Sequence, residues 1–127
     1  MSGGGFMLDA GALIAIDRGD RRMLALLEAA RDVDLPIAVT APVVGQVWRD
    51  GRRQARLAAF LKQPAVDVAA FAAADARAAG ELVAICRHAD VVDVHVVLLA
   101  RRRRLTVVTS DPHDLRKVDP LVAIVRV

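Results

Sequence analysis

The sequence predicts a single α/β domain in which helices cover both faces of a mostly parallel sheet. Short apolar runs alternate with helix-like segments along the chain, and this alternation is typical of that fold class. At 127 residues with 55% hydrophobic content, the chain can bury a sizeable core without disulfide or metal staples. The core must be aliphatic, because Tyr is absent and Trp48 and three phenylalanines are the only aromatic residues.

The strands are predicted from short, bounded apolar runs that suit burial on both faces of a sheet. The first run ends at Asp9, Pro36 introduces the second, and Val66-Asp67-Val68 is the briefest. The predicted strands are residues 6–8, 37–40, 66–68, 106–109 and 123–125.

The helices are predicted from the segments between those runs. Asp20 suits an N-cap, Pro42 fits a first helical turn, and Pro64 closes the helix before it. The alanine-rich stretch 69–87 is the clearest helix. The last predicted helix ends in arginines, whose positive charges interact favourably with the negative end of the helix dipole. The predicted helices are residues 12–16, 21–30, a segment that begins near Pro42, and residues 54–61, 69–87 and 91–103.

Composition narrows the possible functions. The net charge of +3 favours an anionic partner, and Arg101 to Arg104 concentrate basic charge in one place, either as a phosphate contact or as a solvated helix end. The single Cys86 excludes a disulfide framework and is predicted to be buried and inert. No stretch is long enough for a membrane span, and residues 1–5 are predicted to be a flexible leader. A soluble, cytoplasmic protein is expected.

Acidic residues follow the predicted strands. Asp9 comes directly after the first strand, and Asp111 follows the strand at 106–109 by two residues. Both are expected at the edge where parallel strands end, and Asp93, near a helix start, is expected to join them. Converging carboxylates repel one another unless a divalent cation lies between them, and Mg²⁺ or Mn²⁺ suits such a site. Helix capping alone also explains any single one of these aspartates.

Three blocks together resemble the motifs of the PIN-domain nucleases, and more narrowly the VapC toxins of bacterial toxin-antitoxin pairs. They are Met7-Leu8-Asp9-Ala10-Gly11-Ala12-Leu13, Asp90-Val91-Val92-Asp93-Val94-His95 and Val108-Thr109-Ser110-Asp111-Pro112-His113-Asp114. With this order and spacing, the resemblance extends over residues 6–127, which are predicted to form one domain. The resemblance implies a PIN-like three-layer α/β/α fold with a sheet of four to five strands, and an endoribonuclease in which metal-activated water attacks an RNA phosphate in line.

The resemblance also implies roles for individual residues. Asp9 and Asp93 match the principal Mg²⁺ ligands, with Mn²⁺ as an alternative metal, and Asp111 matches the acidic residue that completes the site directly or through water. Asp114 is a supporting candidate, and Asp90 is either a weaker one or a helix cap. His113 is placed in the site loop, whereas His95 is predicted to be a packed helix residue.

One position departs from the family pattern. The family usually has a glutamate in the helix after the second strand, and the matching residue here is Gln46. A neutral amide still forms hydrogen bonds but removes one negative charge from the cluster. The alternative function is therefore a PIN-fold protein that binds RNA or antitoxin with weak or no catalysis.

The resemblance implies three partners: a VapB-type antitoxin, an RNA substrate such as a tRNA or rRNA loop, and a second copy in a homodimer. Trp48 and Arg49 are predicted to bind the antitoxin, whereas Phe60 and Leu61 are more simply core residues. The residues predicted to contact phosphates are Arg49, Arg52, Arg53, Arg56 and Arg101 to Arg104.

Two other phosphate chemistries fit the sequence poorly. A receiver-like domain would need an acidic pair beside Asp9 and a lysine after the last strand, and the chain lacks both. A haloacid-dehalogenase site would need a second aspartate two residues after Asp9, where the chain has Gly11.

Overall fold

The computed structural model describes residues 4–127, so residues 1–3 of the predicted leader lie outside the described part of the chain. Ordered contacts begin before Phe6. Gly5 is buried, its carbonyl accepts a hydrogen bond from the Thr106 N–H, and its φ of 115° is one that side chains rarely adopt. A Cβ at this position would lie 2.4 Å from the Pro36 carbonyl oxygen, so only glycine fits there.

The centre of the fold is a five-stranded, all-parallel sheet, which confirms the predicted fold class. Its strands are β1 (Phe6–Leu8), β2 (Ile37–Thr40), β3 (Val66–Ala69), β4 (Thr106–Thr109) and β5 (Ile124–Arg126). Their spatial order is β3-β2-β1-β4-β5, so the central strand, β1, pairs with β2 and β4. The order of the connections reverses between β1 and β4, which makes that gap the topological switch point of the sheet.

Seven helices connect these strands within the described residues. They are α1 (Ala10–Asp17), α2 (Arg21–Asp32), α3 (Ala41–Val47), α4 (Ala55–Leu61), α5 (Ala73–Cys86), α6 (Val91–Arg103) and α7 (Pro112–Val118). Helix α1 packs against α2, α3 and α4, whereas α6 packs against α5 and α7. Because parallel crossovers are right-handed, these two groups lie on opposite faces of the sheet and complete three layers.

Two helices depart most from the prediction. The alanine-rich helix begins at Ala73 and not at Ala69, because β3 extends through Ala69 and the Asp75 carboxylate accepts the Ala72 N–H at 2.8 Å, which fixes the helix start. Helix α7 was not predicted, since its seven residues include a proline and only two large apolar side chains, Leu115 and Val118, which give little periodicity. His113 therefore lies in a helix and not in a loop.

Asp and Thr side chains cap five helices at their N-termini. Asp20, Thr40 and Asp90 cap α2, α3 and α6, and Asp9 and Asp111 do the same for α1 and α7. The Asp90 carboxylate accepts the N–H groups of Val92 and Asp93, which confirms the cap alternative for this residue. The two strand-end aspartates are thus held by the same local geometry that starts the helices.

The arginine cluster at the end of α6 is mostly paired with acidic residues of neighbouring elements. Arg101 lies 3.5 Å from Asp119, Arg102 lies 3.3 Å from Asp75, and Arg103 pairs with Asp67 at 2.6 Å. Arg101 also lies eight residues beyond Asp93, about 12 Å along the helix and away from the carboxyl edge of the sheet. Three arginines of this cluster thus tie α6 to β3, α5 and the segment after α7, and contact of the cluster with phosphates stays a prediction.

The core is aliphatic, as predicted, and contains one histidine. His95 is 1% exposed, packs edge-to-face on Phe71 at 4.6 Å between ring centroids, and has no hydrogen-bond partner for either ring nitrogen among the described residues. Burial lowers the pKa of this ring. His95 is thus a packed helix residue, as predicted, while Cys86 is only partly buried.

Among residues 4–127, no helix is both long enough and apolar enough to cross a membrane.

Candidate functional site

The candidate site lies at the carboxyl edge of the sheet, at the switch point between β1 and β4. Asp9 follows β1 and its N–H bonds to the Val108 carbonyl of β4 at 3.2 Å, so the two strand ends are directly joined. Asp111 follows β4 after Ser110. A Cβ on Gly11 would lie 2.1 Å from the Ser110 Oγ, so the missing side chain lets the β4–α7 connection lie against the first turn of α1.

Thr109 connects the two strand-end aspartates. This last residue of β4 is fully buried, and its hydroxyl oxygen accepts the Asp111 N–H at 2.9 Å. The same hydroxyl donates to the Asp9 carboxylate, and this hydrogen bond counteracts the rise in the Asp9 pKa. The resemblance placed a threonine in this strand but gave it no role, so Thr109 is a site residue that the sequence reasoning missed.

Asp9 and Asp93 lie close enough for their charges to interact. Burial raises the pKa of Asp9 above its ordinary value of 3.8, and the negative charge of Asp93 raises it further. Hydrogen bonds from Thr109 and from the Ala12 N–H, at 3.1 Å, oppose this rise. Burial likewise raises the pKa of Asp93, where Asp90 and Asp114 add repulsion. Both carboxylates are thus partly buried with raised pKa values, and a bound cation would stabilise their charged forms.

A second missed residue, His88, contacts Asp93. It lies between α5 and α6, and its Nε2 is 3.0 Å from the Asp93 Oδ2. The side chain of His88 is only 13% exposed and that of Asp93 is 28% exposed. The only sequence signal was the position of His88, five residues before Asp93 in the connection that leads to α6.

Asp111 and Asp114 form the outer part of the site on α7. The Asp111 carboxylate accepts the Asp114 N–H at 3.4 Å. Lys117 lies 3.4 Å from Asp114, and its hydrogen bond holds the pKa of Asp114 below the usual range. The negative charge of Asp114 also acts on Asp93, so α7 contributes to the field at the pair.

The donor set fits a hydrated divalent cation. Mg²⁺ is typically bound by one or two carboxylates, with waters and substrate phosphate oxygens as its other ligands, and Asp9 with Asp93 supplies two hard oxygen donors. Within residues 4–127, no group of three or more His, Cys, Asp and Glu side chains is close enough to hold one metal ion. Direct ligation by Asp111 therefore stays a prediction, with an intervening water as the arrangement that suits this geometry.

Gln46 lies in the last turn of α3 and is exposed. In the described part of the chain, its side chain forms no hydrogen bond and it does not contribute charge to the Asp9–Asp93 pair. Its participation in the site stays a prediction.

Trp48 and Arg49 lie in the connection from α3 to α4. Trp48 is 38% exposed, and its ring lies over Gly51, where a Cβ would be 3.0 Å from the indole. The Arg49 guanidinium donates to the Gly45 and Trp48 carbonyls at the end of α3. The Gln54 side chain holds this connection with three hydrogen bonds to backbone groups, at 2.7, 3.0 and 2.9 Å. An ordered, exposed segment results.

Comparisons with solved structures agree with this fold. The chain is 18% identical to a chain of the Rickettsia felis VapBC2 complex bound to a promoter DNA fragment, with a TM-score of 0.73, covering 97% of this chain and 98% of that one. A chain of the FitAB complex bound to the IR36 DNA fragment is 17% identical, with a TM-score of 0.63 and coverage of 95% and 94%. The Mycobacterium tuberculosis VapC20 toxin, which cleaves the sarcin-ricin loop, is 19% identical, with a TM-score of 0.63 and coverage of 96% and 99%.

Among curated proteins, no sequence matches this chain. The PIN domain family model matches residues 6–120, a range that includes four of the five strands and every aspartate of the candidate site. The chain therefore belongs to the PIN domain family.

Proposed function

We propose that this chain is a Mg²⁺-dependent endoribonuclease and the toxic component of a VapBC-type toxin-antitoxin pair. The observation that carries the proposal is the Asp9–Asp93 pair, two partly buried carboxylates whose pKa values are both raised at the switch point of the sheet. Partly buried carboxylates at a ligand-binding edge of the sheet are stabilised most when a cation binds there.

Each residue of the proposed site has a separate role. When bound, Mg²⁺ (or Mn²⁺) supplies a water of lowered pKa and neutralises phosphate charge. Asp9 and Asp93 hold the cation, and Thr109 orients Asp9. Asp111 contacts the cation through water or directly, and Asp114 adds negative charge from α7. Gln46, on α3, positions substrate or water in place of the usual glutamate.

RNA is the proposed substrate, cleaved at a phosphodiester bond in the cytoplasm. Support comes from the VapC20 likeness, from the net charge of +3 and from exposed arginines in the α3–α4 connection. The Arg53 side chain is 89% exposed, while Arg49 remains close to its own helix. Few aromatic residues are available for base stacking, which favours a structured tRNA or rRNA loop recognised by shape.

Cleavage is tested with total RNA and the purified chain in Mg²⁺, in Mn²⁺ and in EDTA. We expect discrete cleavage products with either metal and none in EDTA, because the repelling carboxylates need a cation. The variant Gln46→Glu is expected to raise cleavage about tenfold, since an added carboxylate strengthens metal binding. Ala25→Glu, which adds one carboxylate at an exposed position of α2, serves as the control for added charge.

The alternative is a PIN-fold protein that binds RNA or antitoxin without useful catalysis, and the neutral Gln46 favours it. In that case RNA stays intact with the wild-type chain at saturating Mn²⁺ but is still retained in a filter-binding assay. Activity that appears only in Gln46→Glu would identify the missing carboxylate as the cause.

A VapB-type antitoxin is the proposed protein partner, and a homodimer is the proposed assembly of the chain itself. Both matched complexes, VapBC2 and FitAB, are named as pairs bound to DNA. Between α2 and α4 lies a groove of about 520 Å³ in which Leu24, Leu27 and Phe60 are accompanied by two basic and two acidic residues, namely Arg31, Arg56, Glu28 and Asp32. We place an apolar antitoxin segment that carries charges of both signs in this groove, with Trp48 and Arg49 of the nearby connection as further contacts.

The groove is tested by Leu24→Asp against the antitoxin encoded beside the gene for this chain. Leu24 is 40% exposed, so the variant should fold normally, yet a buried charge at the interface is expected to weaken binding about tenfold or more. Val33→Asp, which is 67% exposed and outside the groove, is the matched control. Equal affinities of both variants, measured by calorimetry, would remove the groove from the proposal.

A further inference from the structure

His88 is fixed in place by the two helix ends that flank it. Arg87 ends α5 with a left-handed φ of 59°, and Asp90 caps the start of α6 three residues later. The short turn between these caps directs the imidazole inward, where it is 13% exposed. A polar ring that is largely buried needs a hydrogen-bond partner, and Asp93 provides it.

The ring provides the only hydrogen bond to the Asp93 side chain among residues 4–127. Its Nε2 lies 3.0 Å from Oδ2, while Oδ1 has no hydrogen-bond partner in that part of the chain. Asp9 differs, because the Ala12 N–H and the Thr109 hydroxyl both hold its carboxylate. Asp93 therefore depends on one residue for its orientation, and that residue is outside the PIN motif blocks.

We propose that His88 is a positioning residue that holds Asp93 through Oδ2 and leaves Oδ1 directed to a divalent cation shared with Asp9. A carboxylate has lone pairs on both oxygens, so a donor on one oxygen leaves the other available as a ligand. Partners of this kind orient the ligands of a metal and set its affinity, and their removal commonly weakens binding about 10- to 100-fold. This inference rests on the proposed metal-dependent function.

The test compares His88→Gln with His88→Asn in a Mn²⁺ titration followed by electron paramagnetic resonance of free Mn²⁺ at constant pH. The Gln amide nitrogen reaches the place of Nε2, whereas the shorter Asn amide reaches only that of Nδ1. We expect Gln to stay within about threefold of the wild type and Asn to bind Mn²⁺ about tenfold or more weakly. Arg77→Gln and Arg77→Asn, at an exposed position of α5, are matched controls with unchanged affinity.

Equal Mn²⁺ affinities of the Gln and Asn variants, or tighter binding by Asn, would overturn the inference while leaving metal binding by the wild type intact. A wild-type chain that binds no Mn²⁺ would instead overturn the proposed metal-dependent function and this inference with it. Thermal melting of both variants without metal checks that the fold is retained. Because Gln and Asn are both neutral amides, a difference in Mn²⁺ affinity between the variants is not expected to come from a difference in stability.

Discussion

Replacing Asp9 with Asn is expected to abolish RNA cleavage and, without metal, to raise the free energy of unfolding at neutral pH. Asn lacks the negative charge that a cation needs, so we expect a loss of about a thousandfold or more in cleavage rate. Asn also caps helices as well as Asp, so its oxygen keeps the Ala12 N–H and the Thr109 hydroxyl as donors. What it removes is a partly buried charge that Asp93 repels.

The gain in stability should depend on pH in a defined direction. Because the folded-state pKa of Asp9 is raised, the wild type binds this proton more tightly when folded and loses stability as the pH rises from the ordinary value of 3.8 through the raised value. The variant has no such loss. Urea unfolding in EDTA should therefore separate the two proteins more at pH 7.5 than at pH 4.

Asp20→Asn is the matched control for this prediction. Asp20 caps α2 through the Met23 N–H at 2.9 Å, but it is exposed and far from Asp93 in the sequence. We expect little change in its cleavage rate or stability. If Asp9→Asn kept cleavage within tenfold of the wild type, or unfolded more easily at pH 7.5, the assignment of Asp9 would be contradicted.

Replacing Thr109 with Val is expected to damage the site while the strand stays intact. Val has a similar shape but no hydroxyl, so the Asp111 N–H loses its acceptor and Asp9 loses a donor. The lost hydrogen bonds should cost about 1 to 3 kcal/mol of stability. Cleavage should fall about 10- to 100-fold, as for other residues that orient metal ligands.

The same variant should shift the pH dependence of metal binding. The Thr109 hydrogen bond lowers the pKa of Asp9, so its loss raises that pKa further and Mn²⁺ affinity should begin to fall at a higher pH. Thr109→Ser keeps the hydroxyl and should restore the wild-type profile. Thr106→Val, at the opposite end of β4, should leave cleavage and the pH profile unchanged, and an equal loss there would indicate a strand effect and not a site effect.

Much of the fold was predictable because the strands of a buried parallel sheet appear in the sequence as short, bounded apolar runs. The apolar run of β2, whose four residues are all buried, and the long apolar helix α6 both have the predicted bounds. The start of α5 was predicted four residues too early, because alanine favours a helix at residues 69–72 and only the pairing of β3 with β2 overrides that preference.

The candidate site was predictable where strand ends determine it and not where tertiary contacts do. Asp9 and Asp111 come after β1 and β4, which are neighbouring parallel strands. The position of both residues at the carboxyl edge of the sheet could therefore be predicted from the strand order. The contact of His88 with Asp93 depends on the turn between two helices, and the pairing of Arg103 with Asp67 joins residues 36 positions apart. Neither leaves a periodic pattern in the sequence.

The end groups of cleaved RNA test the central claim most directly, namely that Asp9 and Asp93 hold a cation for hydrolysis of RNA. With the wild-type chain in Mg²⁺, we predict products with linear phosphate and hydroxyl ends, and none with Asp93→Asn or in EDTA, because water and not the ribose 2′-hydroxyl is the nucleophile. Products that end in 2′,3′-cyclic phosphate and that form equally well in EDTA would contradict the account.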